Sequence, residues 1–576
     1  MEKGKNLNRK LIDIIIIMII TLFLSIPLFY SKLDVYRDDG IQHIARAYGT
    51  YESLKDNFIA PNVISSFSNN FGYSWNLFYG PLSAYGIILI RMIVKNFIVA
   101  YKIFCALCMF LSGIFMYRFV RRLTKINDIA LLAAVLYMLF PYHITDLYTR
   151  NALGEYVSFI FIPIVFHGIY NIFFEENGNQ YYLAIGAIGL ILTHNLSTII
   201  VAFFAICYVI LKFEKITDKR IIKILLLNIL FILLITGFFW LPMLQTRVSS
   251  SYAVYTEGMM ATPESTASRA LSLKQLFITE GEGEFVFELG LNIIIMLVFS
   301  VMSLKIITKP LREHYIFFLI CGIISMWMAT KYFPWKYLGS SFSYIQFPWR
   351  MLMMTSFFIS IVCAINMYLV IVKFNVKDVI FISIISAFCT IVMFDTQIMG
   401  NLGIQNIEDL VLGRFSGREI ETVAGTGKGE YLPENAYKDK FYLATREDNI
   451  YVLEGKAVIT DEKKEGSNYS AKIKTFDSNY TIFELPYLYY PGYQVRADGI
   501  RIDNFETKNG FLGFAIGKND NVLIDVSYEG TSLMRNSFLA SIISLIVFII
   551  INIRQVNKKD YILEKVEKNN SEGKNV

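Results

Sequence analysis

Cysteine is scarce in this chain and sits where it can do little chemistry. All six residues (Cys105, Cys108, Cys207, Cys321, Cys363 and Cys389) lie in apolar runs, which excludes both a disulfide framework and a zinc site in a polar domain. Cys105 and Cys108 read as packing residues. Charge is thin as well. Asp, Glu, Lys and Arg make up 18% of the 576 residues, against 55% hydrophobic, and the mean hydropathy is +0.46. A water-soluble globule of this length carries more charge, so the solvent these residues imply is a bilayer. The formal net charge of +6 is small for such a length and is scattered over short loops, which excludes the basic stripe of a nucleic-acid-binding protein. No internal repeat is evident.

What is present in quantity is apolar sequence in span-sized runs. Lys3, Lys5, Arg9 and Lys10 precede residues 11–30, a run long enough to cross a bilayer and followed by no small-residue cleavage site, so it reads as an uncleaved first span. Further spans are expected at 97–119, 128–143, 155–174, 181–193, 197–213, 221–243, 289–308, 314–330, 350–373, 377–394 and 536–553. Residues 81–94 are apolar but short and broken by Arg91, which fits an interfacial helix. Lys and Arg cluster at alternate loops: Arg118, Arg121, Arg122 and Lys125; Lys212, Lys215, Lys219 and Arg220; Lys305, Lys309 and Arg312; Lys373 and Lys377; and Arg554, Lys558 and Lys559. By the positive-inside rule this pattern predicts about twelve helices in the plasma membrane with both termini cytoplasmic. The pair 181–193 and 197–213 hinges at Thr193-His194-Asn195, and a single tilted helix there would invert everything downstream.

Between residues 395 and 535 the pattern changes to short β-rich runs. Examples are 480–485, 493–497, 500–504 and 521–528. Asp498-Gly499 joins two alternating strands as a tight hairpin, because glycine accepts the positive φ such a turn needs, and Asn509-Gly510 is expected to do the same. The expected organisation is a transmembrane domain over 1–394 with a long first outer loop at 31–96, then an extracytoplasmic β-sandwich-like domain over 395–535. A last helix at 536–553 and a cytoplasmic tail at 554–576 complete it.

The residues that could carry chemistry gather on the outer side. Asp38 and Asp39 follow the first span; such a pair can take a proton from a hydroxyl or hold a divalent cation (Mg or Mn), or be no more than a solvated turn. An aromatic stretch from Phe71 to Tyr79 reads as a sugar-stacking surface or as an interfacial belt. Arg150, Arg247, Lys331, Lys336 and Arg350 fall at outer boundaries where the orientation rule disfavours cations. An outer-leaflet phosphate would explain them, since Arg binds phosphate through a planar fork, and so would snorkelling to headgroups. Arg150 and Glu155 could also pair with each other. His194 interrupts an apolar region and is a site candidate by default, with a helix-end role as the alternative. His43 and His143 are outer-face candidates, and His167 and His314 read as structural.

The order of these features resembles the GT-C fold of polyprenyl-phosphate-sugar-dependent glycosyltransferases. More closely, Arg150-Asn151-Ala152-Leu153-Gly154-Glu155, Leu192-Thr193-His194-Asn195, Gln346-Phe347-Pro348-Trp349-Arg350, Gly429-Glu430-Tyr431-Leu432-Pro433 and Tyr489-Tyr490-Pro491-Gly492-Tyr493 resemble the bacterial YfhO-type membrane proteins. These overlap a family labelled 6-pyruvoyl-tetrahydropterin synthase-related, a label not read here as pterin chemistry. The resemblance implies transfer of a sugar from a polyprenyl-phosphate carrier to an extracytoplasmic acceptor of the cell envelope: a glycan, a polymer of the lipoteichoic acid type, a lipid or a protein. Asp38 or Asp39 would be the catalytic carboxylate, with Arg150, Arg350 and His194 on the donor phosphate and His43, Tyr79, Glu155 and Trp349 on the substrate. A transporter or lipid flippase, and a noncatalytic envelope-assembly scaffold, are the competing classes. The first is disfavoured by the lack of inverted repeats and broken midplane helices.

Overall fold

The computed structural model describes residues 2–29, 39–56, 61–175, 178–277, 289, 291–374, 429–477, 479–519 and 521–572. The expected span at 377–394, Asp38 and Cys389 lie outside the described residues. Among those described, seven helices are long and apolar enough to cross a membrane: Asn8–Phe29, Phe97–Thr124, Leu153–Phe173, Lys219–Ser249, Lys309–Met328, Pro348–Lys373 and Ser532–Gln555. Asn127–Met138 and Pro141–Tyr148, bent by 40° at Pro141, make an eighth if the pair is one span. Proline has no N–H to continue the ladder and starts a new helix well, which accounts for the break.

Some expected crossings are shorter than predicted. At 1.5 Å per residue, Tyr182–Ile191 rises about 15 Å and Asn195–Ile210 about 24 Å, against a hydrocarbon core of about 30 Å. His194 separates them by capping the second helix, its ring nitrogen accepting from the Ser197 N–H. The expected span at 289–308 is two pieces, Leu291–Val298 and Ser300–Ile306. The interfacial segment is the 13-residue helix Leu82–Val94, with the Arg91 guanidinium over the Tyr51 and Phe97 rings at 4.7 and 5.3 Å. The segment expected as a long loop after the first span contains the helix Gly40–Asp56. Helix Leu153–Phe173 is the central post, buried along nearly its whole length.

Charged pairs tie one end of the bundle together: Arg9 with Asp128 at 2.6 Å, Arg122 and Lys125 with Glu175 at 2.7 and 2.8 Å, and Lys212 with Glu313 at 3.1 Å. The β domain meets the other end. Among the described residues nine strands form two antiparallel sheets, β1 (Tyr451–Glu454), β4 (Thr481–Leu488), β8 (Phe511–Ile516) and β7 (Asn504–Glu506) in one, and β2 (Ala457–Glu465), β3 (Asn468–Thr475), β9 (Val522–Tyr528), β5 (Tyr493–Ala497) and β6 (Ile500–Ile502) in the other. Tyr487 of β4 stacks on Tyr493 of β5, joining the sheets as a sandwich. Asp498 and Gly499 both have positive φ (48° and 79°) between paired Ala497 and Ile500, the tight hairpin expected. Asn509-Gly510 differs. Only Gly510 has positive φ, and the turn is longer, held by the Thr507 hydroxyl accepting from the Asn509 and Phe511 N–H groups.

Candidate functional site

At the end of the bundle facing the β domain, the first three motifs converge. Helix Leu153–Phe173 begins with Gly154 and Glu155, and the preceding turn places Arg150 back over them. The Arg150 Nη1 donates to Asp146 Oδ1 at 2.6 Å, to the Tyr142 hydroxyl at 2.9 Å and to Glu155 Oε2 at 3.1 Å. Tyr142 donates to the other Glu155 oxygen at 2.6 Å. Arg350 reaches the same carboxylate, its Nε 3.5 Å from Glu155 Oε2, while its Nη1 donates to the Ile345 carbonyl and to Gln346 Oε1. Both arginine turns adopt left-handed backbone at a non-glycine residue, Asn151 (φ 48°) and Gln346 (φ 63°). Strain of this kind persists where the surroundings over-determine it, often at functional sites.

Asp39 lies at the head of helix Gly40–Asp56. Its backbone N–H donates to the Arg150 carbonyl at 3.2 Å and its carbonyl accepts from the His43 N–H. Burial works against the Arg150 charge, but Tyr142, Glu155, Asp146 and Asp39 favour it, and its pKa rises above the ordinary guanidinium value. One and two turns on, His43 and Arg46 face Tyr79: the His43 and His194 rings lie 5.7 and 5.9 Å from it, and the Arg46 guanidinium carbon lies 4.9 Å from the ring centroid. Burial, then the Arg46 and His194 charges, pull the His43 pKa down to about 3, so the ring is neutral in the physiological range. Burial and then the Asp39 carboxylate push the Tyr79 phenol up, and it stays protonated. The His194 Nδ1 accepts from both the Ser197 N–H and its hydroxyl, which assigns the proton to Nε2 and leaves that N–H as a donor.

Two glycines make this geometry possible. A Cβ on Gly154 would lie 2.2 Å from the Tyr79 hydroxyl, and one on Gly80 would lie 2.5 Å from the Leu192 carbonyl oxygen. The Tyr79-Gly80-Pro81 turn therefore packs directly on the Leu192-Thr193-His194 break, with the Leu82 N–H donating to the Leu192 carbonyl at 2.8 Å. The last two motifs meet below it. Phe78 stacks on Tyr431 at 4.5 Å, the Tyr490 hydroxyl donates to the Tyr431 carbonyl, the Tyr73 hydroxyl accepts from the Tyr431 N–H, and the Leu488 N–H donates to the Phe71 carbonyl. The β domain is thus clamped to the chain segment that carries Tyr79.

Of the residues singled out from sequence, Asp39, His43, Tyr79, Arg150, Glu155, His194 and Arg350 come together, and Trp349 adjoins them, stacked on Phe347 at 4.6 Å. Arg247 and Lys331 do not join; Arg247 lies over the Tyr255 ring and Lys331 near the Tyr332 ring. His143 stacks on Phe159, His314 bonds the Tyr208 hydroxyl, and His167 lies against Phe119 and Tyr182, all packing roles. Asp146, Tyr142 and Arg46 were missed by sequence reasoning. The i, i+4 spacing of Asp146 and Arg150, and the small and apolar residues Ile44, Ala45, Ala47 and Gly49 around Arg46, were the available signals. The break at Pro141 divides the span expected at 128–143, and the break at 192–194 is the hinge expected at Thr193-His194-Asn195, which lines this site. Among the described residues no group of three His, Cys, Asp or Glu side chains could hold a metal ion.

A family model described as "6-pyruvoyl-tetrahydropterin synthase related domain; membrane protein" matches residues 77–401. A protein of Lactococcus lactis subsp. cremoris (strain MG1363), described as uncharacterized, is 28% identical over 340 residues, 56% of this chain and 54% of its own length, so the chain spans about half of that curated relative. Among solved structures, the arabinofuranosyltransferase AftD from Mycobacteria is similar with a TM-score of 0.41 and 13% identity, over 67% of this chain and 27% of that one. The archaeal oligosaccharyltransferase AglB from Archaeoglobus fulgidus, solved with an inhibitory peptide and a dolichol-phosphate, gives 0.31 and 13%, over 75% and 57%. At such TM-scores these likenesses carry no argument about this chain's activity.

Proposed function

This chain belongs to the 6-pyruvoyl-tetrahydropterin synthase related family of membrane proteins, and we propose that it is a GT-C-type glycosyltransferase, moving a sugar from a polyprenyl-phosphate carrier to an extracytoplasmic envelope acceptor. The observation that carries the reading is the pocket itself. Asp39, Glu155, His194 and Arg350, dispersed over more than half the chain, share one buried polar site at the end of the bundle where the β domain docks. Burying so many ionisable groups beside a membrane domain is costly, and such groups mark function by default.

The chemistry follows from their types. Nucleotide sugars are cytoplasmic, so a site on the far side needs a sugar already carried across on a lipid phosphate. The acceptor oxygen attacks the anomeric carbon and forms the new glycosidic bond. The bond from that carbon to the phosphate oxygen breaks, and the carrier phosphate leaves with the electron pair. Asp39, with Asp38 as its neighbour, takes the acceptor hydroxyl's proton. Arg350, Arg150 and the His194 Nε2–H face the departing phosphate, where positive charge and fixed donors favour the transition state. Glu155 keeps both arginines oriented, and Tyr79 and Trp349 offer ring faces to the sugar. The β domain, clamped beside Tyr79, positions the acceptor.

Membrane vesicles given a polyprenyl-phosphate sugar and the native acceptor supply the test. Asp39→Asn removes charge at nearly constant volume and should lower transfer by roughly 10²-fold or more, the usual loss for a general base, with normal abundance in the membrane. Transfer at the parental rate by both Asp38→Asn and Asp39→Asn would refute the mechanism and favour a transporter or a scaffold.

A further inference from the structure

Four arginines are buried among the described residues: Arg46, Arg150, Arg350 and Arg446. Three of them face carboxylates, Arg150 with Asp146 and Glu155, Arg350 with Glu155, and Arg446 with Glu484. Arg46 is 1% exposed and, among the described residues, has no carboxylate within ion-pair distance. Its donors go to neutral acceptors: Nε to Asn76 Oδ1 at 2.9 Å, and Nη2 to the carbonyls of Tyr79 and Gly80 at 2.8 and 3.1 Å. Asn76 is fixed in turn, its amide donating to the Thr50 hydroxyl and the Pro61 carbonyl. Nη1 has no partner.

A buried guanidinium without a counter-ion is expensive, and an unmet donor on it adds to the cost. Nothing in the fold alone requires that arrangement. A neutral amide donor could bond the Tyr79 and Gly80 carbonyls without burying a charge. Asp146 and Glu155 sit at Arg150 and Arg350, and the Asp39 carboxylate acts on Arg150 and Tyr79, so among the described residues Arg46 is the arginine of this cluster with no carboxylate of its own. It lies against the Tyr79 ring, whose other neighbours are His43 and His194.

We propose that Arg46 is an anion-binding residue of this pocket, its Nη1 N–H groups donating to a phosphate oxygen of a lipid-borne prenyl phosphate. The inference rests on the glycosyl-transfer reading only for the identity of the lipid. Nη1 is enclosed, so the phosphate displaces the Tyr79 ring that lies over the guanidinium. Arg46 then supplies the charge that Arg150 and Arg350 share with Glu155, and its anchorage to two backbone carbonyls and Asn76 presents the remaining edge in a fixed direction.

The test is binding, not transfer. Full-length protein in lipid nanodiscs is titrated with a short-chain prenyl monophosphate, with the matching prenyl alcohol and with inorganic phosphate. The parental protein should bind the prenyl phosphate more tightly than the alcohol, and Arg46→Met should weaken the phosphate by at least about ten-fold while leaving the alcohol unchanged. Parental affinity in Arg46→Met, or equal binding of phosphate and alcohol by the parental protein, overturns the proposal. Binding of inorganic phosphate alone through Arg46 overturns the lipid-borne source. If Arg46→Met does not fold, Asn76→Asp sets a carboxylate against Nε at nearly constant volume. It should show the same loss, and parental affinity there is equally fatal. A protein that binds prenyl phosphate through Arg46 but transfers no sugar refutes the transferase reading alone. Transfer at the parental rate by Arg46→Met refutes this inference alone.

Discussion

Two buried guanidinium–carboxylate clusters, one in the β domain and one at the end of the bundle, are built from the same side chains and end differently. In the β domain, Glu484 accepts from Arg446 Nε at 3.2 Å, from the Tyr442 hydroxyl at 2.5 Å, from the Thr507 hydroxyl at 2.6 Å and from the Asn509 amide at 3.0 Å. The Arg446 head donates further to the Glu484 and Glu447 carbonyls and is flanked by the Phe71, Tyr451 and Phe511 rings. Both Glu484 oxygens are used, and the cluster holds the short helices before β1 against the sandwich. The bundle cluster instead leaves, among the described residues, Arg46 Nη1 and Asp146 Oδ2 without partners and carries two left-handed non-glycine residues, Asn151 and Gln346. A closed network rigidifies and an open one has capacity for a ligand.

That contrast can be broken by substitution. The largest effect is expected for Glu484→Ala, which strands a fully buried Arg446 and should cost about 3–5 kcal/mol of stability, read by thermal unfolding of the full chain. If the melting temperature is unmoved, the β-domain cluster is not structural. Arg350→Lys should weigh the other way: it keeps the charge beside Glu155 but loses the planar fork, so transfer falls by roughly ten-fold while the loss of thermal stability stays well below that of Glu484→Ala. An equal loss of stability and transfer would erase the distinction between the two clusters. Smallest is Gly499→Ala, at φ +79° with nothing within 4 Å of a Cβ, where only backbone strain acts. It should cost about 1 kcal/mol without touching transfer, and a larger loss would mean that the hairpin tip is itself a contact surface.

How much was legible beforehand varied with the range of the interaction. The hydropathy runs, the change to β-rich sequence and the Asp498-Gly499 turn are local signals, and each appears in the fold. The break at 192–194 is legible, because Thr193-His194-Asn195 interrupts the apolar run, whereas the division of 289–308 into two short helices is not, because an apolar run reports its solvent and not where a short break divides it. Helix Gly40–Asp56 reads as loop in the sequence because its mixed surface, with Arg46, Tyr48, Tyr51 and Lys55 among small residues, follows no membrane pattern.

A membrane chain with a β-rich segment before its last helix is readable from composition and spacing, since those properties depend on which residues are present and on their order along one element. The sequence also singled out Asp39, His43, Tyr79, Arg150, Glu155, His194 and Arg350, without a way to place them in one site. That they meet, that Glu155 serves two arginines, and that Arg46 has no carboxylate among the described residues are properties of the folded chain alone. Which charges balance one another is set by distances between helices far apart in the chain, and no property of the residues taken in order contains those distances.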